Sequence, residues 1–263
     1  MRECTGKKEK PMLTEMKTGN LKKRQKIRKG IVISTFLLFP VVIFYFSPYL
    51  IVIGATEGII AGSFIMFSLQ FILSLFSGRS ICGYVCPVGG LQECLMLANG
   101  KKAKGGKRNF IKYCIWAPWI IAVVILFIRA GGFSKIDFFY HTANGVSLYE
   151  PFTYVIYYGV LLLVVVLSLT AGKRAFCHYV CWMSPFMVIG SKISDWLGIP
   201  KLRLKSNKDN CISCGRCSDK CPMSLDVREM VKDDRMKNTE CILCGECIDT
   251  CPRKAITYTS QDK

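Results

Sequence analysis

Cys211-Ile-Ser-Cys214-Gly-Arg-Cys217-Ser-Asp-Lys-Cys221-Pro222 is followed, thirty residues on, by Cys241-Ile-Leu-Cys244-Gly-Glu-Cys247-Ile-Asp-Thr-Cys251-Pro252. The two stretches are one spacing, C-x2-C-x2-C-x3-C-P, written twice. Its logic is geometric. Three thiolates on a tight loop can wrap three irons of a cubane, the fourth must arrive from elsewhere, and a proline after the fourth cysteine redirects the chain. Zinc prefers two cysteine pairs closing on one tetrahedral ion, which leaves the third cysteine of each run without a use. Structural disulfides are disfavoured in a reducing cytoplasm.

This is the bacterial ferredoxin spacing, and in two-cluster ferredoxins the fourth cysteine serves the opposite cluster. One [4Fe-4S] cluster is therefore expected on Cys211, Cys214, Cys217 and Cys251. A second is expected on Cys241, Cys244, Cys247 and Cys221. The exchange ties the halves of a small α+β ferredoxin-like domain, residues 201–263, whose core alone would be marginal.

Upstream of this domain the composition changes. The 263 residues are 51% hydrophobic with a net charge of +18, and the mean hydropathy is +0.30. That combination is foreign to a soluble domain and excludes extensive disorder. Four charge-free apolar stretches predict transmembrane helices at about 31–53, 58–78, 113–129 and 152–172, against the roughly 20 residues a span requires. Pro40 and Pro48 should bend or shorten the first.

The basic residues sit beside these stretches. Residues 1–30 hold 11 basic and 3 acidic side chains, residues 78–112 hold 7 and 1, and residues 172–210 hold 7 and 2, whereas 211–263 are balanced. The positive-inside rule accounts for this distribution, so nucleic acid is not required as a partner. It places residues 1–30 as a basic cytoplasmic tail and both termini in the cytoplasm, in the cell membrane of a prokaryote. Lys101, Lys102, Lys104, Lys107 and Arg108 read as a topology determinant on anionic lipid.

An internal repeat underlies the membrane domain, residues 31–200. Cys82-Gly-Tyr-Val-Cys86 reappears 95 residues later as Cys177-His-Tyr-Val-Cys181. Each copy follows a Gly-plus-basic signal at the inner end of a helical hairpin and precedes a short apolar stretch. Two hairpin repeats ending in cysteine pairs are the economical plan. The pairs are spaced i, i+4, so both thiols can share a helix face. Three readings of Cys82, Cys86, Cys177 and Cys181 stand side by side: a further iron–sulfur cluster, redox-active thiols, or buried packing residues. His178, between two of these cysteines, is a candidate quinone contact. His141 lies in the outer loop, so the two histidines cannot share a haem across a core of about 30 Å. Cys4, Cys94 and Cys114 follow no motif.

The order of two hairpins, two membrane cysteine motifs and a C-terminal double-cluster domain resembles the NapH-like membrane iron–sulfur proteins. Gly78-Arg79-Ser-Ile-Cys82-Gly-Tyr-Val-Cys86-Pro87-Val-Gly89 carries the first motif throughout. The second departs from it, with Trp182 in place of the proline and Pro185 three residues on. The resemblance implies membrane electron transfer between a quinol or cytoplasmic donor and a partner redox protein, the partners being flavin, haem or reductase subunits. No flavin, molybdenum or Rossmann fingerprint is legible, so substrate chemistry by this chain alone is not expected. The alternative, from another class, is an assembly factor that reduces a metal centre or thiol of a larger complex.

Overall fold

A computed structural model describes residues 15–260, with the backbone alone for 15–22. Residues 1–14, nearly half of the expected tail, lie outside the described residues. The rest of that tail is helical. The first helix, α1 (Glu15–Leu37), begins far upstream of the expected residue 31. Its start was hidden by charge: Arg24, Gln25 and Arg28 look solvent-facing in sequence but bond the C-terminal domain and the first cysteine motif.

The predicted span 31–53 is not one rod. After Leu37 the chain turns by 59° into α2 (Phe39–Val42) and a 3-10 turn, Ile43–Phe46, then restarts as α3 (Pro48–Glu57). Pro40 has no N–H to give and its ring obstructs the preceding turn, while Pro48 suits a helix start. The break is re-satisfied from the loop at residues 130–150. Fully buried Ser147 accepts from Phe44 N at 3.1 Å and donates to Val41 O at 2.6 Å.

The predicted span 58–78 also divides. It opens as β1 (Ile59–Ala61) and continues as α4 (Gly62–Ser77), whose 16 residues reach about 24 Å, short of a bilayer core. Then come α5 (Ser80–Tyr84), α6 (Pro87–Ala98) and α7 (Ile111–Arg129). The strand β2 (Lys135–Asp137) pairs in parallel with β1. The second hairpin ends in α8 (Pro151–Ala171), α9 (Ala175–Tyr179) and α10 (Ser184–Trp196). The molecule is thus mostly helical. Among the described residues two helices, those ending at Arg129 and Ala171, are long and apolar enough to cross a membrane, or three when the bent pair 23–37 and 39–46 counts as one. Prolines and a strand take up part of the length of the first hairpin, so its two expected spans are not two straight helices.

The helices after the two cysteine motifs cross between hairpins: α6 packs along α1 and α8, and α10 along α4 and α7. Glycines set both approaches. A Cβ on Gly90 would collide with Val32 O and the Phe36 side chain, and one on Gly190 with Ser74 and Phe71 O. The C-terminal unit comprises β3 (Arg203–Ser206), α11 (Arg216–Lys220), α12 (Val227–Lys232), α13 (Glu246–Thr250) and β4 (Ile256–Thr259). Antiparallel pairing of β3 with β4, Arg203 opposite Thr259, closes it.

Gly90→Val should destabilise the chain in detergent by about 1–3 kcal/mol, the usual cost of overpacking. Gly100→Val, at a position with nothing within 4 Å, should leave the thermal midpoint unchanged.

Candidate metal centres

The two cysteine runs of the C-terminal unit fold alike. Ser213 and Leu243 have φ of 54° and 51°, and Gly215 and Gly245 have φ of 75° and 74°. Left-handed residues interleaved with ordinary ones turn successive N–H groups to one side, the backbone of an anion nest. Past Pro222 and Pro252, Ser224 and Lys254 are left-handed as well. One cavity is lined by Cys211, Cys214, Cys217 and Cys251. Another is lined by Cys241, Cys244, Cys247 and Cys221. Each takes three thiols from its own loop and one from the opposite half. Ala255 N donates to Cys251 Sγ at 3.3 Å. Each cavity is lined by four thiols, three of them from one tight loop, a donor set that suits a polynuclear group better than the two cysteine pairs zinc prefers.

The hairpin motifs also repeat as structure. Val85 N bonds Ile81 O and Val180 N bonds Phe176 O, while Cys86 N and Cys181 N return to those same carbonyls at 3.1 and 2.9 Å. Trp182 leaves this turn intact; its indole N–H donates to Phe46 O at 3.0 Å. Cys86, Cys177 and Cys181 line one apolar cavity of about 210 Å³, with Phe39, Ile43 and Val160 among its walls. Cys82 lies against Met187, Sγ to Sδ 3.3 Å, and Cys177 Sγ accepts from Gln92 Nε2 at 3.2 Å. Cys82 and Cys177 belong to the same buried cluster as Cys221, Cys244 and Cys247. Two of the hairpin thiols, Cys82 and Cys177, therefore pack in one core with the cysteines of the second cavity of the C-terminal unit. Cys94 is half-buried and Cys114 exposed, and neither lines these cavities.

The residue after the first cysteine of each motif makes the contact with that unit. A Cβ on Gly83 would stand 2.5 Å from Ile242 O and 3.5 Å from the Cys244 side chain. Its counterpart His178 is 1% exposed, with Nε2 3.0 Å from Met223 O and Nδ1 3.0 Å from Asn109 Oδ1. Burial pushes its pKa down to about 4, against the opposing pull of Glu240. Both ring nitrogens are engaged within the chain, and His178 does not line the apolar cavity. Through Nε2, His178 makes a docking contact with the C-terminal unit.

Six buried charges surround the joint. Glu93 Oε1 accepts from Arg28 Nη1 at 3.0 Å and Arg174 Nη2 at 2.8 Å. Glu240 accepts from Arg79 Nη1 at 2.8 Å and Lys112 Nζ at 2.6 Å. Burial pushes the Glu93 carboxyl up, and Arg174 and Arg28 more than reverse this, holding it down at about 2. Glu240 is lowered in the same way by Arg79 and Lys112. In the sequence, Arg79 and Arg174 are basic residues of the Gly-plus-basic signals before the two cysteine motifs. Two signals could have found them: each stands three residues before a first cysteine, at the 95-residue offset of the motifs, and Glu93 is the lone acid in 78–112. Arg79 Nε and Nη2 and Arg174 Nε, all buried, have no hydrogen-bond partner among the described residues. Orphaned cationic donors beside thiols fit a thiolate-bound group at this place.

Residues 206–256 match the 4Fe-4S dicluster domain family. Residues 60–105 and 153–200 match the 4Fe-4S binding domain family, and these two segments contain the hairpin motifs. The chain carries ferredoxin-type 4Fe-4S domains. It is similar to YccM of Escherichia coli K12, whose name proposes electron transport: 22% identity over 204 residues, 70% of this chain and 52% of that protein. It is similar too to two uncharacterized proteins of Methanocaldococcus jannaschii. MJ0749 is 27% identical over 80% of this chain and 79% of its own length, and MJ0750 is 28% identical over 60% and 64%. The chain thus spans about half of YccM. No solved structure matches it.

Glu93→Gln should destabilise the fold by about 3–5 kcal/mol at neutral pH, since two buried cations lose their carboxylate. A carboxyl held below its ordinary value contributes fully above about pH 4.5 and loses that contribution as pH falls through about 2. Denaturation of both proteins followed by circular dichroism should show the gap closing over that window.

Proposed function

We propose that this chain is a membrane-anchored carrier of single electrons. Two [4Fe-4S] clusters are held by Cys211, Cys214, Cys217 and Cys251 and by Cys241, Cys244, Cys247 and Cys221, and a third by Cys82, Cys86, Cys177 and Cys181. Electrons pass between a quinol or cytoplasmic donor and a partner redox protein, as the NapH-like resemblance implies. The basic flanks put both ends on the cytoplasmic side of a prokaryotic cell membrane.

The observation that carries this reading is continuity. Cys82 and Cys177 share one buried core with Cys221, Cys244 and Cys247, while Cys214 at the far end is exposed. Bound clusters supply one-electron storage at potentials set by charge, hydrogen bonding and exposure. The protein's part is to line them up from solvent to the apolar interior. Gly83 and His178 press the C-terminal unit onto the hairpins, and the two carboxylates hold it there. An apolar carrier such as a quinol reaches the hairpin thiols through the cavity between α2 and α8. The same residues disfavour a purely packing role for the four cysteines, since three of them face an open cavity.

Anaerobic iron and sulfide quantification with EPR tests the reading. The wild type should hold about twelve irons and Cys82→Ala combined with Cys177→Ala about eight, at four per cubane. About eight in both would remove the third centre, and an iron-free wild type would overturn the whole proposal.

A further inference from the structure

We infer that Arg79 and Arg174 donate hydrogen bonds to the sulfurs of the centre at Cys82, Cys86, Cys177 and Cys181 and hold its reduction potential up. The inference rests on reading those cysteines as cluster ligands and adds the residues that tune the cluster.

The repeat supplies the first argument. Each arginine precedes the first cysteine of its motif by three residues, so the two hairpins deliver one guanidinium apiece to the same place. Both are buried, at 2% and 0% exposure. A guanidinium has five N–H donors and no acceptor. Arg79 spends Nη1 on Thr239 O and Glu240. Arg174 spends Nη1 on Cys82 O and Nη2 on Glu93. What remains, Arg79 Nε and Nη2 and Arg174 Nε, is buried and unpartnered. Buried donors in native proteins are nearly always satisfied, and an orphan costs about 1–3 kcal/mol. The neighbours that act on these side chains besides their carboxylates are thiols: Cys82 and Cys177 on Arg79, and Cys177 and Cys244 on Arg174. Sulfur is therefore the acceptor within reach.

Charge supplies the second argument. Around Glu240 stand two cations, Arg79 and Lys112. Around Glu93 stand Arg28 and Arg174, and the nearby Glu246 is shared by Arg28 and Lys29. Each network keeps one positive charge in excess. A centre bound by four thiolates becomes more anionic on taking up an electron, which apolar surroundings oppose and buried cations favour. The planar fork lets one side chain bond a carboxylate and a sulfur at once, which the point charge of lysine does less well.

The test is an EPR-monitored redox titration of the full chain in detergent, on wild type, Arg79→Gln, Arg174→Gln and the two Lys variants, with iron counted in each sample. Each carboxylate keeps one cation in every variant, Lys112 for Glu240 and Arg28 for Glu93. The Gln variants should retain about twelve irons, with the hairpin signal at least tenfold less reduced at the wild-type midpoint, equivalent to about 59 mV for one electron. The Lys variants should fall less far. The signal to follow is the one absent from Cys82→Ala combined with Cys177→Ala. An unchanged midpoint at full iron content overturns the inference and leaves the cluster reading standing, whereas a wild type with about eight irons overturns that reading itself. If a Gln variant loses the centre, the Lys variant at that site decides: a lowered midpoint supports the inference and an unaltered one overturns it.

Discussion

Burying a charge in an apolar interior is affordable only when the charge is paired and its remaining hydrogen-bonding groups are met. Here six charges are buried where six segments of chain converge, and two carboxylates decide how those segments can sit. Glu93, on α6, must take Arg28 from α1 and Arg174 from the entrance to α9. Glu240, one residue before Cys241, must take Arg79 from the exit of α4 and Lys112 from α7. Sliding the C-terminal unit by one turn would strand a carboxylate and two cations in a dry joint. The relative placement of the cysteine sets is thus enforced by electrostatics, with van der Waals packing filling in around it.

That constraint explains how two unrelated internal repeats meet. The C-terminal unit repeats every thirty residues and the hairpins every 95, so no common symmetry aligns them. They touch at paired positions nonetheless. Gly83 and His178 occupy the same place in the two hairpin motifs, and one abuts Ile242 and Cys244 while the other bonds Met223 O. Equivalent places thus meet opposite halves of the C-terminal unit. Identity at these places is not repeated because the gaps differ: one admits no side chain and the other takes a buried imidazole.

What could be read from the sequence was what is local. The cysteine spacing sets loop geometry within a dozen residues, so the two three-thiol loops were legible before any tertiary contact was known, whereas the fourth thiol lining each cavity crosses from the other half. The bend at Pro40 was legible for the same reason. The start of α1 was not, because Arg24, Gln25 and Arg28 are consumed by partners more than 50 residues away along the chain. Nor was the role of Arg79 and Arg174, since a basic residue at the inner end of a span is already explained by topology. The cavity beside Cys86 was invisible too, being made by a helix break and by α8, about seventy residues further on.

The hairpin repeat is symmetric in its thiols but not in access to them. On the α2–α8 side, the break after Leu37 opens the cavity that reaches Cys86, Cys177 and Cys181. The corresponding side, between α4 and α7, is filled: Phe186 packs edge-on against Phe67, Trp116 and Trp119, with ring centres 5.5, 5.3 and 6.2 Å away. The replacement of proline by Trp182 belongs to this asymmetry. Its ring packs on Phe176 at 5.4 Å, its N–H ties it to Phe46 O, and it forms part of the cavity wall. A straight first helix would give Phe46 no free carbonyl to offer and would remove the opening. The prolines that shorten the first span therefore create the one-sided approach by which an apolar molecule can come up to a doubled set of thiols.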